Sequence, residues 1–160
     1  MDRIKINSMK LDIKEIDKIN FNGLTNIAKV FEEENATQYW VIKGENVLFG
    51  FGWYTELDPK IIISETYNAI VIASFTKVFA ISSTNGTIEF ALGFNESVMS
   101  IEEVKFGFLI ITETSITMIN GNNYSLGRVV SVPDIILDYN IVDDIIFVET
   151  VSGGKIKFEI

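Results

Sequence analysis

The feature that most constrains this chain is that it repeats itself. "LIITET" at residues 109–114 returns as "IIFVET" at 145–150, and "IVIASF" at 70–75 is a weaker third copy. Each copy is followed by a second segment rich in β-branched and aromatic residues: "KVFAIS" at 77–82, "SITMIN" at 115–120 and "KIKFEI" at 155–160. Then come "STNG" at 83–86 and "GNN" at 121–123, where Gly and Asn can take positive φ and turn the chain. A third segment follows each turn, "TIEFAL" at 87–92 and "YSLGRVV" at 124–130. Another precedes each echo: "KIIISE" at 60–65, "VMSIEEVK" at 98–105 and "DIILDYNI" at 134–141.

The unit is a meander of about four short strands, recurring roughly every 36–39 residues. A lone meander cannot bury its apolar faces, so neighbouring copies must pack on one another. The expected fold is therefore all-β: repeated antiparallel β-meander units, propeller-like, in a single domain spanning 1–160. Units 60–97, 98–133 and 134–160 follow a divergent part at 1–59. A two-sheet sandwich or a barrel fits the same strands. The likeness to propeller blades rests on period and strand number alone, because the chain has no Trp-Asp dipeptide and no histidine for a Gly-His pair. The last unit holds three strands, and "DRIKIN" at 2–7 alternates Ile4 and Ile6 with charge. This predicts that residues 2–7 pair with, or lie beside, residues 155–160; an edge strand blunted by its own charges is the alternative.

Residues 9–59 fit the repeat poorly. "QYWVIKGENVLFGFGWY" at 38–54 reads as a hairpin about Gly44-Glu45-Asn46. "LTNIAKVF" at 24–31 has helical spacing at Leu24, Ile27, Ala28 and Phe31. The acidic run Glu32–Glu34 would then sit at a helix C-terminus, which the helix dipole opposes. Asn22-Gly23 is also a hairpin signal, so the strand reading is preferred.

Composition narrows the chemistry. The chain has no cysteine and no histidine, so disulfides, thiolate nucleophiles, zinc–thiolate sites and Ser-His-Asp catalysis are all excluded. Carboxylate, lysine or tyrosine chemistry and a carboxylate-held Ca²⁺ or Mg²⁺ remain open. No segment resembles a signal peptide, and no apolar run approaches the ~20 residues of a membrane span. A cytoplasmic protein is expected. The net charge of −9 is uneven: residues 1–20 carry five basic and four acidic side chains, and the remainder 8 basic against 18 acidic. Such a body repels nucleic acid and anionic membranes and attracts cationic partners, although charge also keeps a hydrophobic sheet protein soluble.

The densest acidic cluster is Asp134, Asp138, Asp143 and Asp144 in "DIILDYNIVDD". It lacks the Gly-bearing calcium loop, so it is read as turn chemistry residue by residue and as a basic-partner surface taken together. Glu102 and Glu103 are adjacent and would face opposite sides of a regular strand, which gives a two-carboxylate glycosidase no support; they read as turn or edge charges and, with the aspartates, as partner-binding residues. In "VLFGFGWY", Phe49, Phe51 and Trp53 alternate onto one face with Gly50 and Gly52 opposite. Phe49 and Phe51 read as core; Trp53 and Tyr54, at the strand's end, read as partner-binding anchors. No glycine pattern fits a phosphate loop. No cofactor or metal is expected.

These observations favour a non-enzymatic protein-binding module. Its most concrete form is an acidic immunity or antitoxin-type inhibitor that occludes the basic active site of a toxic nuclease. A propeller-like interaction scaffold is the alternative, and a carboxylate-based enzyme or divalent-metal protein is the third reading.

Overall fold

A computed structural model describes residues 11–25, 28–54 and 57–160. The chain divides into two compact units, Met1–Phe75 with Phe79–Ala91, and Thr76–Val78 with Leu92–Ile160. The expected pairing of residues 2–7 with 155–160 falls outside the described residues.

The first unit opens with a sheet of order β1-β3-β4-β2, formed by β1 (Asp12–Ile16), β2 (Ala28–Glu32), β3 (Gln38–Lys43) and β4 (Leu48–Trp53). The predicted hairpin is present: β3 and β4 pair antiparallel from Gln38 opposite Trp53 to Lys43 opposite Leu48, and the Gly44 N–H donates to the Val47 carbonyl at 2.6 Å. The strand reading of 24–31 is met from Ala28 onward. However, β2 runs parallel to β4, so this sheet is mixed rather than a plain meander.

A short helix, α1 (Lys18–Asn22), was not expected. Asp17 starts it, its carboxylate accepting from the Asn20 backbone N–H at 2.8 Å. Gly23 closes it, donating to the Ile19 carbonyl at 3.0 Å, so Asn22-Gly23 marks a helix end and not a hairpin. One turn of helix is marginal alone, and tertiary packing holds it: Phe21 is fully buried. Its ring lies over β4, where a Cβ added at Gly50 would meet Phe21 Cε2 at 2.9 Å and Leu24 Cδ1 at 3.1 Å. Tyr39 lies against Gly52 in the same way and meets Phe21 at 4.8 Å between ring centroids. The two glycines let a helix and a tyrosine lie flat on this face.

The opposite face of that sheet packs on the sheet β5-β6-β7-β8, built from β5 (Lys60–Ser64), β6 (Ala69–Ser74), β7 (Lys77–Ser82) and β8 (Ile88–Gly93). Ile42, Val47, Phe49, Phe51 and Trp53 meet Ile70, Ile72, Phe79 and Ile81 in one apolar core. Phe51 stacks on Trp53 at 4.7 Å and meets Phe79 edge-on at 5.7 Å.

The second unit holds the sheet β12-β11-β10-β9 and the three-stranded sheet β13-β14-β15. Their strands are β9 (Val98–Val104), β10 (Gly107–Thr112), β11 (Ser115–Asn120), β12 (Leu126–Ser131), β13 (Ile136–Val142), β14 (Ile145–Thr150) and β15 (Lys155–Glu159). Leu109, Ile111, Ile116 and Val132 form its core with Ile136, Ile146 and Val148.

The fold is thus all-β, with repeated meander sheets from β5 onward, and the described strands fall into four separate sheets rather than the two of a sandwich or the closed one of a barrel. The starts Lys60, Val98 and Ile136 lie 38 residues apart. The echo of "LIITET" in "IIFVET" is therefore two residues out of structural register. An even slip keeps every side chain on its own face, which is why the echo still marks equivalent strands. The turns repeat atom for atom. Thr87 donates its N–H and hydroxyl to Asn85 Oδ1 at 3.0 and 2.8 Å, and Ser125 does the same to Asn123 Oδ1 at 3.1 and 2.7 Å.

Candidate binding surfaces

The four aspartates of "DIILDYNIVDD" do not form one patch. Asp134 precedes β13 and Asp143 follows it, so strand rise alone separates them by roughly 20 Å. Asp134 is tied to the backbone at the surface: Oδ2 accepts the Ser152 N–H and Oδ1 the Ile135 N–H, both at 2.8 Å. Bonds from Ser152, side chain first and then backbone, followed by the Ile135 N–H, hold its carboxyl below the ordinary range. Asp138 lies exposed on β13, Asp143 takes positive φ at the β13–β14 turn, and Asp144 approaches Lys105 at 4.0 Å.

The second acidic pair separates as strand alternation requires. Glu102 accepts from the Ser100 hydroxyl at 2.7 Å and from the Tyr139 hydroxyl on β13. Burial, then the Glu102 bond, pushes the Tyr139 phenol up to about 12. Glu102 therefore joins two sheets of the second unit, while Glu103 is exposed. Trp53 requires a correction. It is fully buried in the core of the first unit and stacks between Phe51 and Trp40, so it offers no surface to a partner. The end of β4 is still enclosed by sheet β5-β6-β7-β8 at Trp53, and exposure begins at Tyr54, with 64% of its surface free.

Two structural carboxylates share a role that strand patterns do not reveal. Glu96, in the connection before β9, accepts from the Thr112 hydroxyl at 2.8 Å, the Thr114 N–H at 2.9 Å and the Thr114 hydroxyl. Those bonds, the Thr114 hydroxyl first, hold its carboxyl below the ordinary range. Asp134 stands 38 residues later and binds Ser152, 38 residues after Thr114. In these two repeats the acid before the sheet grips the tip of that sheet's second hairpin.

An open surface of the second unit is the outer face of β13-β14-β15. Register sets three rows across it: Val142, Ile145 and Glu159; Asn140, Phe147 and Lys157; Asp138, Glu149 and Lys155. Phe147, at the centre, is 44% exposed. The face is shallowly concave and holds about 450 Å³. Asp138 on β13 and Glu149 on β14 stand across from Lys155 and Lys157 on β15, with Glu159 at the far corner. The alternation in "IIFVET" carried this signal, since Phe147 falls between the inward Ile146 and Val148. A second hollow of about 420 Å³ runs beside Glu96, lined by Phe94, Thr117, Leu126 and Val129.

Among the described residues, no three carboxylates converge as a metal cage. No helix there is long and apolar enough to cross a membrane. No family model matches the chain, and no curated protein matches it. Among solved structures it is similar to BBS1N as seen in a crystal structure of BBS1N in complex with ARL6DN: 15% identity, TM-score 0.46, over 76% of this chain and 47% of that one. The chain thus spans about half the length of that structure.

Proposed function

We propose that this chain is a non-enzymatic interaction scaffold that holds a protein partner on the outer face of β13-β14-β15. The observation that carries this reading is Phe147: a large apolar ring half-exposed at the centre of a sheet face, with the charges of Asp138, Glu149, Lys155 and Lys157 around it. Apolar anchors with a charged rim are the usual energetic centre of a protein interface. Three carboxylates are instead occupied by the fold, Glu96, Glu102 and Asp134.

An inhibitor of a basic nuclease is the second reading, favoured by the net charge of −9 and by the exposed Asp138, Asp143 and Asp144. The two separate in one experiment. A photoreactive side chain at Asn140, illuminated in the cells of origin, reports any protein seated beside Phe147. One adduct that survives high salt and disappears in Phe147→Ser supports the scaffold. A basic nuclease whose capture weakens steeply with salt supports the inhibitor. An adduct unchanged by Phe147→Ser, or none at all, rejects this face.

A further inference from the structure

A second surface, in the first unit, has features that the fold itself does not require. The hairpin β6–β7 turns through two residues, Phe75 and Thr76. Phe75 has φ +27° and Thr76 has no positive φ. In a two-residue hairpin, positive φ at the first central position alone is the place where the chain ordinarily takes glycine. A bulky side chain there is strained. Among the described residues, the non-glycine ones with positive φ are Asn35, Asn68, Phe75, Tyr124 and Asp143. Asn and Asp tolerate this backbone. Tyr124 is partly covered, whereas Phe75 leaves 51% of its surface exposed. The turn therefore holds a strained residue and an exposed aromatic ring with little burial to offset either.

The ring is not isolated. Lys60 at the start of β5 pairs with Ala73 near the end of β6, so the connection preceding β5 and the Phe75 turn lie at the same end of that hairpin. This connection carries Tyr54 and Leu57, each 64% exposed. Acidic charge lies on it and beside it: Asp58 is exposed, and Glu33, from the β2–β3 connection, accepts the Tyr54 N–H through Oε2 at 2.9 Å next to the exposed Glu34. Lys60 and Lys77 stand at the strand starts.

We infer that Phe75 is an anchor for a protein partner, inserting into an apolar pocket whose margin toward Tyr54, Leu57 and Asp58 is basic. The inference rests on the reading of the chain as a protein-binding scaffold and adds a second contact surface to it. Strain retained at an exposed tip is accounted for when the bound state uses the side chain.

Two measurements test it together. Thermal unfolding of Phe75→Asn and Phe75→Gly should show no loss of stability. A fall in Tm of more than about 4 °C in both would mean that the ring serves the fold, and would overturn the inference. In the cells of origin, a photoreactive phenylalanine analogue in place of Tyr54 should give one protein adduct, at least tenfold weaker when combined with Phe75→Asn. An adduct indifferent to Phe75→Asn overturns the inference. So does labelling from Asn140 without labelling from position 54, and that outcome leaves the scaffold reading standing. Labelling from neither position removes both.

Discussion

The first and last sheets of the chain solve the same problem in opposite ways. Each packs one face into an apolar core and must do something with the other. On β1-β3-β4-β2 the outer face is covered: Gly50 and Gly52 strip β4 of side chains, and Phe21 and Tyr39 lie on the bare backbone. On β13-β14-β15 the outer face keeps its side chains and stays open, with Phe147 among Asp138, Glu149, Lys155 and Lys157. An outer sheet face must not stick indiscriminately, and either a cover or a charged face achieves this. Only the second leaves a surface available to a partner.

The sharpest way to break this comparison is to remove the cover. Phe21→Ala should cost about 3–5 kcal/mol in urea unfolding, since the ring is wholly buried and α1 has too few residues to persist without it. A loss below about 1 kcal/mol would mean that the helix is ornamental and that both outer faces are effectively open. Gly50→Ala approaches the same contact from the sheet side. Its Cβ would fall 2.9 Å from the Phe21 ring, so the helix must lift, at about 1–3 kcal/mol. Unchanged stability would show that α1 shifts freely.

Two bonds within the second unit should appear as pH dependence. The Tyr139 phenol has its folded pKa raised, so its stabilising contribution is complete below the ordinary tyrosine value. That contribution drains away as pH rises from about 10 toward about 12. Tyr139→Phe should flatten the alkaline limb of a Tm–pH profile and lower Tm at neutral pH by a few degrees. The Glu96 carboxyl runs the other way. Its folded pKa is depressed, so stability present above the ordinary glutamate value is lost as pH falls through the folded one. Glu96→Gln should make the acid limb shallower. A wild-type profile equally steep in the variant would assign acid unfolding to other carboxylates.

Much of this architecture was legible because its signals are local. Alternation, Asn-Gly turn chemistry and the near-38-residue recurrence located the strands from β5 to β15 almost to the residue, and even the two-residue slip in the echo preserved faces. What was hidden depends on distant residues. The helix α1 is too short to show a 3.6-residue period, and it exists because Phe21 finds Gly50 on a strand 29 positions away. Trp53 reads as a strand end in sequence, but in space that end is enclosed by another sheet. Glu102 reads as a surface charge until Tyr139 reaches it from β13. The acidic cluster reads as one patch because sequence proximity along an extended strand is not spatial proximity.

The smallest expected effect on stability tests the open face most directly. Phe147→Ala should change unfolding free energy by no more than about 0.5 kcal/mol, because a ring 44% exposed on an outer face loses little by truncation. Ile146→Ala, one residue earlier and pointing inward, should cost about 2–5 kcal/mol. Neighbours on one strand would then differ several-fold in stability while the order reverses for partner capture, where only Phe147 matters. If Phe147→Ala instead costs as much as Ile146→Ala, the face is covered in solution. The contrast between a capped first sheet and an open last one would then disappear, and with it the surface assigned to the partner.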